Sequence, residues 1–211
     1  MLTEKMKSTI RTAAANPGVA LITFIIGVVV TAMSSAGVFP KTKIMPAGNW
    51  EANIFPIIDT RTNAANLPSL RTVNLPDGDL EARVWIGFGL NGEDGFILRR
   101  SSNQWSAVYL RGFFDRYPPK IYQEQISLGA PKSGWEQTWQ RLVEAGILNL
   151  PDASAIGCNP HVLDGVGYVV ETNTHKTYRT YMYDNPQYAK CDEAKRVIKI
   201  SEIIYDEFGL P

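Results

Sequence analysis

One long uncharged run stands out in the pattern of hydrophobic and polar positions. Residues 16–40 read NPGVALITFIIGVVVTAMSSAGVFP, and no charged residue occurs between Arg11 and Lys41. About 20 apolar residues suffice for a helix to cross the hydrocarbon core of a bilayer, and a helix satisfies its own backbone hydrogen bonds there. We therefore predict a transmembrane helix (an uncleaved signal anchor) at residues 16–40, between a tail at 1–15 and an extended stalk at 41–49.

Small residues line one side of this predicted helix at the spacing of 3.6 residues per turn. They are Ala20, Thr23, Gly27, Thr31 and Ser35. A small residue at every fourth position lets a second helix approach closely. Small residues are also common in membrane helices in general, and Phe24 interrupts the row, so the pattern leaves both a packing face and a plain tether open.

The charges on either side of the run predict an orientation. Lys5, Lys7 and Arg11 precede it, whereas Lys41 and Lys43 are the basic residues that follow closely. Because positive charge favours the cytoplasmic side, we expect a cytoplasmic N-terminus and an extracytoplasmic domain.

A cleaved signal peptide is the alternative interpretation of the same residues. Residues 19–30 would then be its apolar region, and cleavage would follow Ala36 at a small-x-small site. Such a signal would exceed the usual length of about 15–30 residues, and apolar residues resume at Val38 and Phe39. The retained anchor is therefore preferred.

The rest of the chain has the composition of one globular domain. Of 211 residues, about 165 remain beyond the anchor, enough for a single domain with a core, which we assign to residues 50–211. The 21 basic residues balance 21 acidic ones, which argues against a nucleic-acid binder. We expect membrane lipid and other transmembrane protein subunits as partners, and no nucleic acid.

Alternation with a period of two residues predicts strands. Apolar and other residues alternate over 80–88, and two short connections lead to strands at 96–100 and 104–111, so that these three form an antiparallel meander. Further strands are expected at 121–126 and, as a hairpin, at 168–171 and 177–183.

Two helices are predicted from their periodicity. In KSGWEQTWQRLVEAG, Ser133 is expected to cap a helix, with Glu136 completing a capping box and Gly146 ending the helix. Residues 192–208 form a second amphipathic helix. Residues 51–71 are interpreted as irregular wrapping with one short strand. The predicted fold is a single N-terminal transmembrane helix plus one α+β domain, an antiparallel sheet (meander and hairpin) packed by two helices.

The two cysteines, Cys158 and Cys191, both follow the anchor. In an oxidising compartment an isolated pair most simply forms one disulfide, which closes a loop of about 30 residues. Two buried free thiols are the alternative if the domain is cytoplasmic. A zinc site is not predicted, since it needs four ligands, usually in close pairs.

Aromatic residues supply the candidate contact surface. Arg179, Tyr181 and Tyr183 share one face of a predicted strand, and surfaces of Tyr and Arg are favoured at protein interfaces. Trp85 is a further interface candidate. The alternative is that these rings cover the sheet beneath a packed helix.

No catalytic or cofactor motif is identified, and we expect no cofactor and no metal. His161 lies three residues before Asp164, so an acid–base pair is conceivable, but no serine or cysteine nucleophile is identified beside it. The DGD at residues 77–79, with Glu81, weakly resembles a calcium loop. It lacks the further oxygen ligands at the required spacing, and a turn is the preferred interpretation.

Two stretches carry a resemblance to a protein family. LDGVGYVVETNTHKTYRTYMYDNP is followed by CDEAKRVIKISEIIYDEF, and EARVWIGFGL lies upstream. Together they resemble a family of uncharacterised bacterial envelope proteins, membrane-anchored or secreted. The resemblance implies a bacterial, extracytoplasmic location and no particular activity.

Three functions remain open on these observations. The preferred one is a non-enzymatic accessory subunit, whose helix packs into a larger membrane complex and whose domain contacts that complex. The second is a free-standing anchored domain that binds an envelope ligand such as a glycan or a lipid carrier, which a deep aromatic pocket around Trp85 or Tyr181 would favour. The third, less favoured, is a hydrolase that uses His161 and Asp164.

Overall fold

Seven strands form one mixed sheet in the computed structural model, which describes residues 41–44, 50–89, 92–116, 119–160, 162 and 165–210. The strands are β1 (Thr42–Ile44), β2 (Leu80–Gly89), β3 (Gly92–Ser101), β4 (Gln104–Arg116), β5 (Pro119–Leu128), β6 (Gly167–Thr174) and β7 (Thr177–Asp184). Their order across the sheet is β1-β7-β6-β2-β3-β4-β5. β1 pairs in parallel with β7, and the other pairs are antiparallel.

Three helices in the described part of the chain cover the two faces of this sheet. They are α1 (Glu51–Ala64), α2 (Trp135–Ala145) and α3 (Asp192–Phe208). Alternate residues of a strand point to opposite faces, so Val84 belongs to the core beneath α2 and α3, while its neighbour Trp85 belongs to the core beneath α1. The predicted α+β class, meander, hairpin and two C-terminal helices are confirmed.

Helix α1 corrects the interpretation of residues 51–71 as irregular wrapping, and it adds a third helix to the two predicted. Pro56 lies inside the helix, where it removes one backbone hydrogen bond. The short apolar run Ile54–Ile58, which contains this proline, has the sequence pattern of a short strand. Phe55, Ile58, Arg61 and Thr62 are the buried residues of this helix. Two of these four are polar, which hides the apolar periodicity that would have indicated a helix.

The predicted stalk is partly built into the sheet. Thr42 pairs with Thr177, and the Lys41 ammonium group donates hydrogen bonds to the Val73 carbonyl oxygen and to the Asn173 side chain. Burial, with a contribution from the charge of Lys43, lowers the pKa of Lys41. Residues 41–44 therefore belong to the domain, and β1 makes the sheet mixed rather than purely antiparallel.

The strand directions define two ends of the sheet. The Lys41 end carries the β3–β4 and β6–β7 turns, since Ser101 pairs with Gln104 and Thr174 lies close to Thr177. The far end carries the pair Gly89 and Gly92 of β2 and β3, the pair Arg116 and Pro119 of β4 and β5, and the start of β6. Within the described residues no helix is both long and apolar enough to cross a membrane, and the predicted anchor at residues 16–40 lies outside them.

The predicted capping box at the start of α2 is wrong. The N-cap residue is Gly134, which makes no side-chain cap, and the carboxylate of Glu136 instead accepts a hydrogen bond from Trp105 Nε1 at 2.7 Å. Ser133 donates from its backbone N–H and its hydroxyl to Glu207 of α3, at 2.8 and 2.9 Å. The serine thus joins the start of α2 to the end of α3.

Replacing Glu207 by glutamine should destabilise the domain in a pH-dependent way. Burial raises the pKa of Glu207, but the Ser133 hydrogen bonds and the charge of Arg141 together hold it below its ordinary value. A depressed folded-state pKa gives stability that is present above the unfolded-state pKa and lost as the pH falls through the folded-state pKa. We expect a cost of about 1.5–3 kcal/mol near pH 7, measured by urea unfolding.

The unfolding free energies of the Glu207→Gln variant and the unmodified chain should converge below the depressed pKa, where the glutamate is protonated. Glu144→Gln is the control, because the Glu144 carboxylate accepts from Gln140 Nε2 at an exposed site. It should change stability by less than about 0.5 kcal/mol. A pH-independent difference for Glu207→Gln would contradict the assignment of this carboxylate as the ionised acceptor.

Candidate functional site

The aromatic interface candidates are buried in the domain. Trp85, Tyr181 and Tyr183 are each no more than 1% exposed. The Tyr181 hydroxyl donates to the Ile147 carbonyl oxygen at 3.2 Å, and the Tyr183 hydroxyl donates to that of Pro151 at 2.8 Å. These rings therefore offer no surface to a partner, which corrects their interpretation as interface residues and favours the alternative that they cover the sheet beneath other elements.

Arg179 shares the face of Tyr181 and Tyr183, as the alternation predicts, but it too is engaged within the domain. Its guanidinium group donates to the carbonyl oxygens of Asn149 and Leu150 and lies 6.0 Å from the centre of the Tyr181 ring. The Tyr and Arg cluster thus fixes the turn after α2 onto β7. Its role in the described structure is structural.

A layer of buried charged groups lies on the opposite face, beneath α1. Glu81 is 1% exposed and accepts from Arg83 Nε and Arg99 Nε, both at 2.7 Å. Arg83 itself has no exposed surface. Removing one partner of such a buried ion pair destabilises a protein, because the remaining charge stays unpaired in a medium of low polarity.

A second buried carboxylate, Glu171, completes this layer. It accepts from Trp85 Nε1 at 2.9 Å and from the Tyr178 hydroxyl at 2.8 Å. Burial, followed by the charge of Glu171, raises the pKa of Tyr178 far above its ordinary value, so this phenol remains a neutral donor. Glu81, Arg83 and Glu171 are buried, and Arg99 reaches Glu81 from a partly exposed position.

The predicted disulfide joins Cys158 to Cys191, with 6.1 Å between their Cα atoms. Cys191 is the N-cap residue of α3, and its Sγ accepts from Ala194 N at 3.4 Å. A crosslink over this separation typically stabilises a domain by about 2–4 kcal/mol. The bond ties the loop after residue 153 to the start of α3.

A shallow cleft of about 370 Å³ opens beside this disulfide at the far end of the sheet. Its lining includes Ile156 and Tyr188, which are 43% and 62% exposed. Val166, 37% exposed, lies close by, because its backbone exchanges hydrogen bonds with Asn185 at the start of the turn that carries Tyr188. We call Ile156, Val166 and Tyr188 the far-end patch.

The far-end patch was not predicted from the sequence. Leu148, at 38%, is the remaining exposed large apolar side chain of the described residues. A signal for the patch does exist, since each cysteine is close to one apolar residue within an otherwise polar loop, in ASAIGCNP and NPQYAKC. Such loops are commonly solvated, and only the folded structure shows that Ile156 and Tyr188 line the same cleft.

The weak calcium-loop pattern is a turn. Asp79 Oδ1 accepts from the Ser102 backbone N–H and Oδ2 from the Ser101 hydroxyl, both at 2.8 Å, and these bonds hold the pKa of Asp79 below its ordinary value. Glu81 belongs to the buried layer. Among the described residues, no group of three or more His, Cys, Asp or Glu side chains could hold a metal ion.

Several candidate residues lie outside the described residues. These are the pair His161 and Asp164 and the helix-packing residues Ala20, Thr23, Gly27, Thr31 and Ser35. The hydrolase and helix-packing interpretations therefore remain predictions from sequence.

Comparisons with known proteins add no relative. No protein-family model matches the chain, and no curated protein matches it. The resemblance to bacterial envelope proteins stays an expectation from the quoted stretches.

Proposed function

We propose that this protein is a single-pass, membrane-anchored accessory subunit, without catalytic activity of its own, that docks onto a larger complex of the bacterial inner membrane. The apolar run at residues 16–40 supports the anchor, and the basic tail supports a cytoplasmic N-terminus. The disulfide between Cys158 and Cys191 is in keeping with an oxidising, extracytoplasmic compartment.

The observation that carries the docking proposal is the far-end patch. The chain enters the sheet at Lys41, and the exposed apolar side chains of Ile156, Val166 and Tyr188 gather at the other end. Exposed apolar groups that cluster on a loop pinned by a disulfide are typical of a preformed contact surface. A tyrosine there is a residue type that concentrates binding energy at interfaces.

The ligand-binding alternative has less support. It called for a deep pocket around Trp85 or Tyr181, and both rings are buried and engaged in hydrogen bonds. Three clefts occur among the described residues. The first has Ile156 and Cys191 in its lining, the second Ser201 and Leu210, and the third Asp77 and Lys176. All three are shallow, and neither the Trp85 ring nor the Tyr181 ring lines any of them.

The test is copurification of the full-length chain from membranes in mild detergent. The double variant Ile156→Ser/Tyr188→Ser should reduce the recovered partner at least about ten-fold, since hot-spot side chains each contribute more than about 1 kcal/mol. Leu148→Ser is the matched control, because Leu148 is similarly exposed but lies outside the cleft. Equal recovery from all three proteins would contradict docking through the patch.

A further inference from the structure

The Cys158–Cys191 disulfide crosslinks two segments that each carry one side chain of the far-end patch. Ile156 ends one short 3₁₀ turn and lies two residues before Cys158. Tyr188 ends another and lies three residues before Cys191. Both cysteines line the same cleft as these two side chains. The covalent bond therefore lies at the surface that the proposed function uses for docking.

The disulfide is the bond that fixes these two segments to each other. Residues 153–160 form hydrogen bonds among themselves, such as that from the Cys158 N–H to the Ala153 carbonyl oxygen at 2.8 Å. Residues 186–190 do the same, since the Ala189 N–H donates to the Pro186 carbonyl oxygen at 3.1 Å. Among the described residues, no hydrogen bond or ion pair joins one of these segments to the other.

Each segment is also held by the domain at its start, without help from the disulfide. Asp152, ahead of the first turn, accepts from the Met182 N–H at 2.9 Å and from Trp50 Nε1 at 3.0 Å. Asn185, ahead of the second turn, accepts at its Oδ1 from the Val166 N–H at 3.0 Å. Opening the disulfide is therefore expected to free the loop locally and to leave the sheet intact.

The position of Cys191 suits it to leave when the disulfide is attacked. Thiol–disulfide exchange needs a thiolate that attacks one sulfur and a second sulfur that departs as a thiolate. Cys191 is the N-cap residue of α3, and its Sγ accepts from the Ala194 N–H at 3.4 Å. Backbone N–H groups at a helix N-terminus stabilise a thiolate. Of the two carboxylates in this first turn, Asp192 is paired with Lys195, which leaves Glu193 to oppose that effect.

We propose that the Cys158–Cys191 disulfide is a redox switch, which holds the far-end patch in its docking form and releases it when a dithiol reduces the bond. In the first step a thiolate of the dithiol bonds to Cys158 Sγ, and the electron pair of the broken S–S bond leaves with Cys191 Sγ, which takes up a proton. The second thiol then attacks the mixed disulfide, and Cys158 leaves and is protonated. The protein gains two electrons and two protons, and the dithiol becomes a disulfide.

The inference rests on the proposed function, because the switch controls the docking surface named there. A preformed surface binds with side chains that are already in place. A loop that has lost its crosslink must be ordered again when the partner binds, and that ordering reduces affinity. The oxidised chain should therefore dock more tightly than the reduced chain, although both contain the same residues.

The test compares recovery of the copurifying partner by three forms of the full-length chain in mild detergent. They are the oxidised chain, the same chain after dithiothreitol, and the Cys158→Ser/Cys191→Ser variant. Recovery should be at least about ten-fold lower for the second and third forms, and reoxidation should restore it for the second. The variant is the control for disulfides of the partner, because it needs no reductant. Recovery equal to that of the oxidised chain, in either form, would overturn the switch.

Hydrogen exchange of the unmodified chain shows whether reduction acts locally. With dithiothreitol the amides of Ala155 and Cys158, which bond within the loop, should exchange at least about ten-fold faster, and those of β2 and β6 should not change. Faster exchange throughout the sheet, or none in the loop, would show a crosslink that serves stability alone and would refute the switch. If the oxidised chain recovers no partner, the proposed function fails with it, whereas equal recovery before and after reduction rejects the switch alone.

Discussion

Replacing Glu81 by alanine is expected to lower the free energy of unfolding by about 3–5 kcal/mol. Glu81 is the carboxylate that the guanidinium group of Arg83 contacts, at 2.7 Å, and neither side chain has measurable exposure. Arg83 Nε donates to Glu81, and Arg83 Nη1 lacks a hydrogen-bond partner in the described part of the chain, so the guanidinium group depends on Glu81. The variant therefore leaves a charge buried beneath α1, and urea unfolding measures the loss.

Two further variants separate charge burial from a general loss of packing. Glu81→Leu/Arg83→Met removes both buried charges, so it should restore most of the stability, because Arg99 is 39% exposed and can turn to solvent. Glu202→Ala breaks an exposed pair with Lys199 and should cost less than about 1 kcal/mol. A double variant as unstable as Glu81→Ala would show that the layer is not destabilised by an unpaired charge.

The sequence was most informative where one residue pattern coincided with one physical cause. Residues 80–88 alternate because β2 is the central strand of the sheet and its two faces have unlike surroundings. One face contacts the apolar core beneath α2 and α3, and the other contacts the mixed layer beneath α1. The helix at 192–208 was predictable because five of its seven buried residues are apolar and recur at helical spacing. The disulfide was predictable from an isolated pair of cysteines that both follow the predicted anchor.

Local patterns failed where long-range partners decide the structure. Arg61 makes α1 look less amphipathic, yet it is buried because Glu93, 32 residues later, accepts its hydrogen bonds. Ser133 and Glu136 have capping-box spacing, but Glu207 and Trp105 are their partners. No window of sequence around either site contains the residue that overrides the local preference.

The candidate contact surfaces depended on sheet order, which periodicity does not supply. Tyr181 and Tyr183 share a face of β7 whichever strand β7 pairs with. Only the structure shows that the segment after α2 covers this face, because both hydroxyls donate to its carbonyl oxygens. In the same way, a strand at 121–126 was predictable, but its place at the margin of the sheet was not.

Adding a methyl group at Gly95 is expected to destabilise the domain by about 1–3 kcal/mol, and truncating Trp85 to alanine by about 3–5 kcal/mol. Gly95 pairs with Trp85 across β2 and β3, and a Cβ atom there would lie 2.5 Å from Trp85 Cζ3. The indole cannot move aside, because it is fully buried and its Nε1 donates to Glu171. Trp85→Ala opens a cavity and removes that donor from a buried carboxylate.

A double-mutant cycle tests whether the two residues act as one packing unit. With Trp85 replaced by alanine, the space that its ring occupied is open, so Gly95→Ala should then cost little and the two effects should be strongly non-additive. Gly129→Ala is the control for adding a methyl group to glycine, since its Cβ would meet no atom within 4 Å, and it should be neutral or slightly stabilising. If Gly95→Ala proves as harmless as Gly129→Ala in urea unfolding, the indole does not lie against Gly95. The strand register that brings Trp85 beneath α1 would then be wrong.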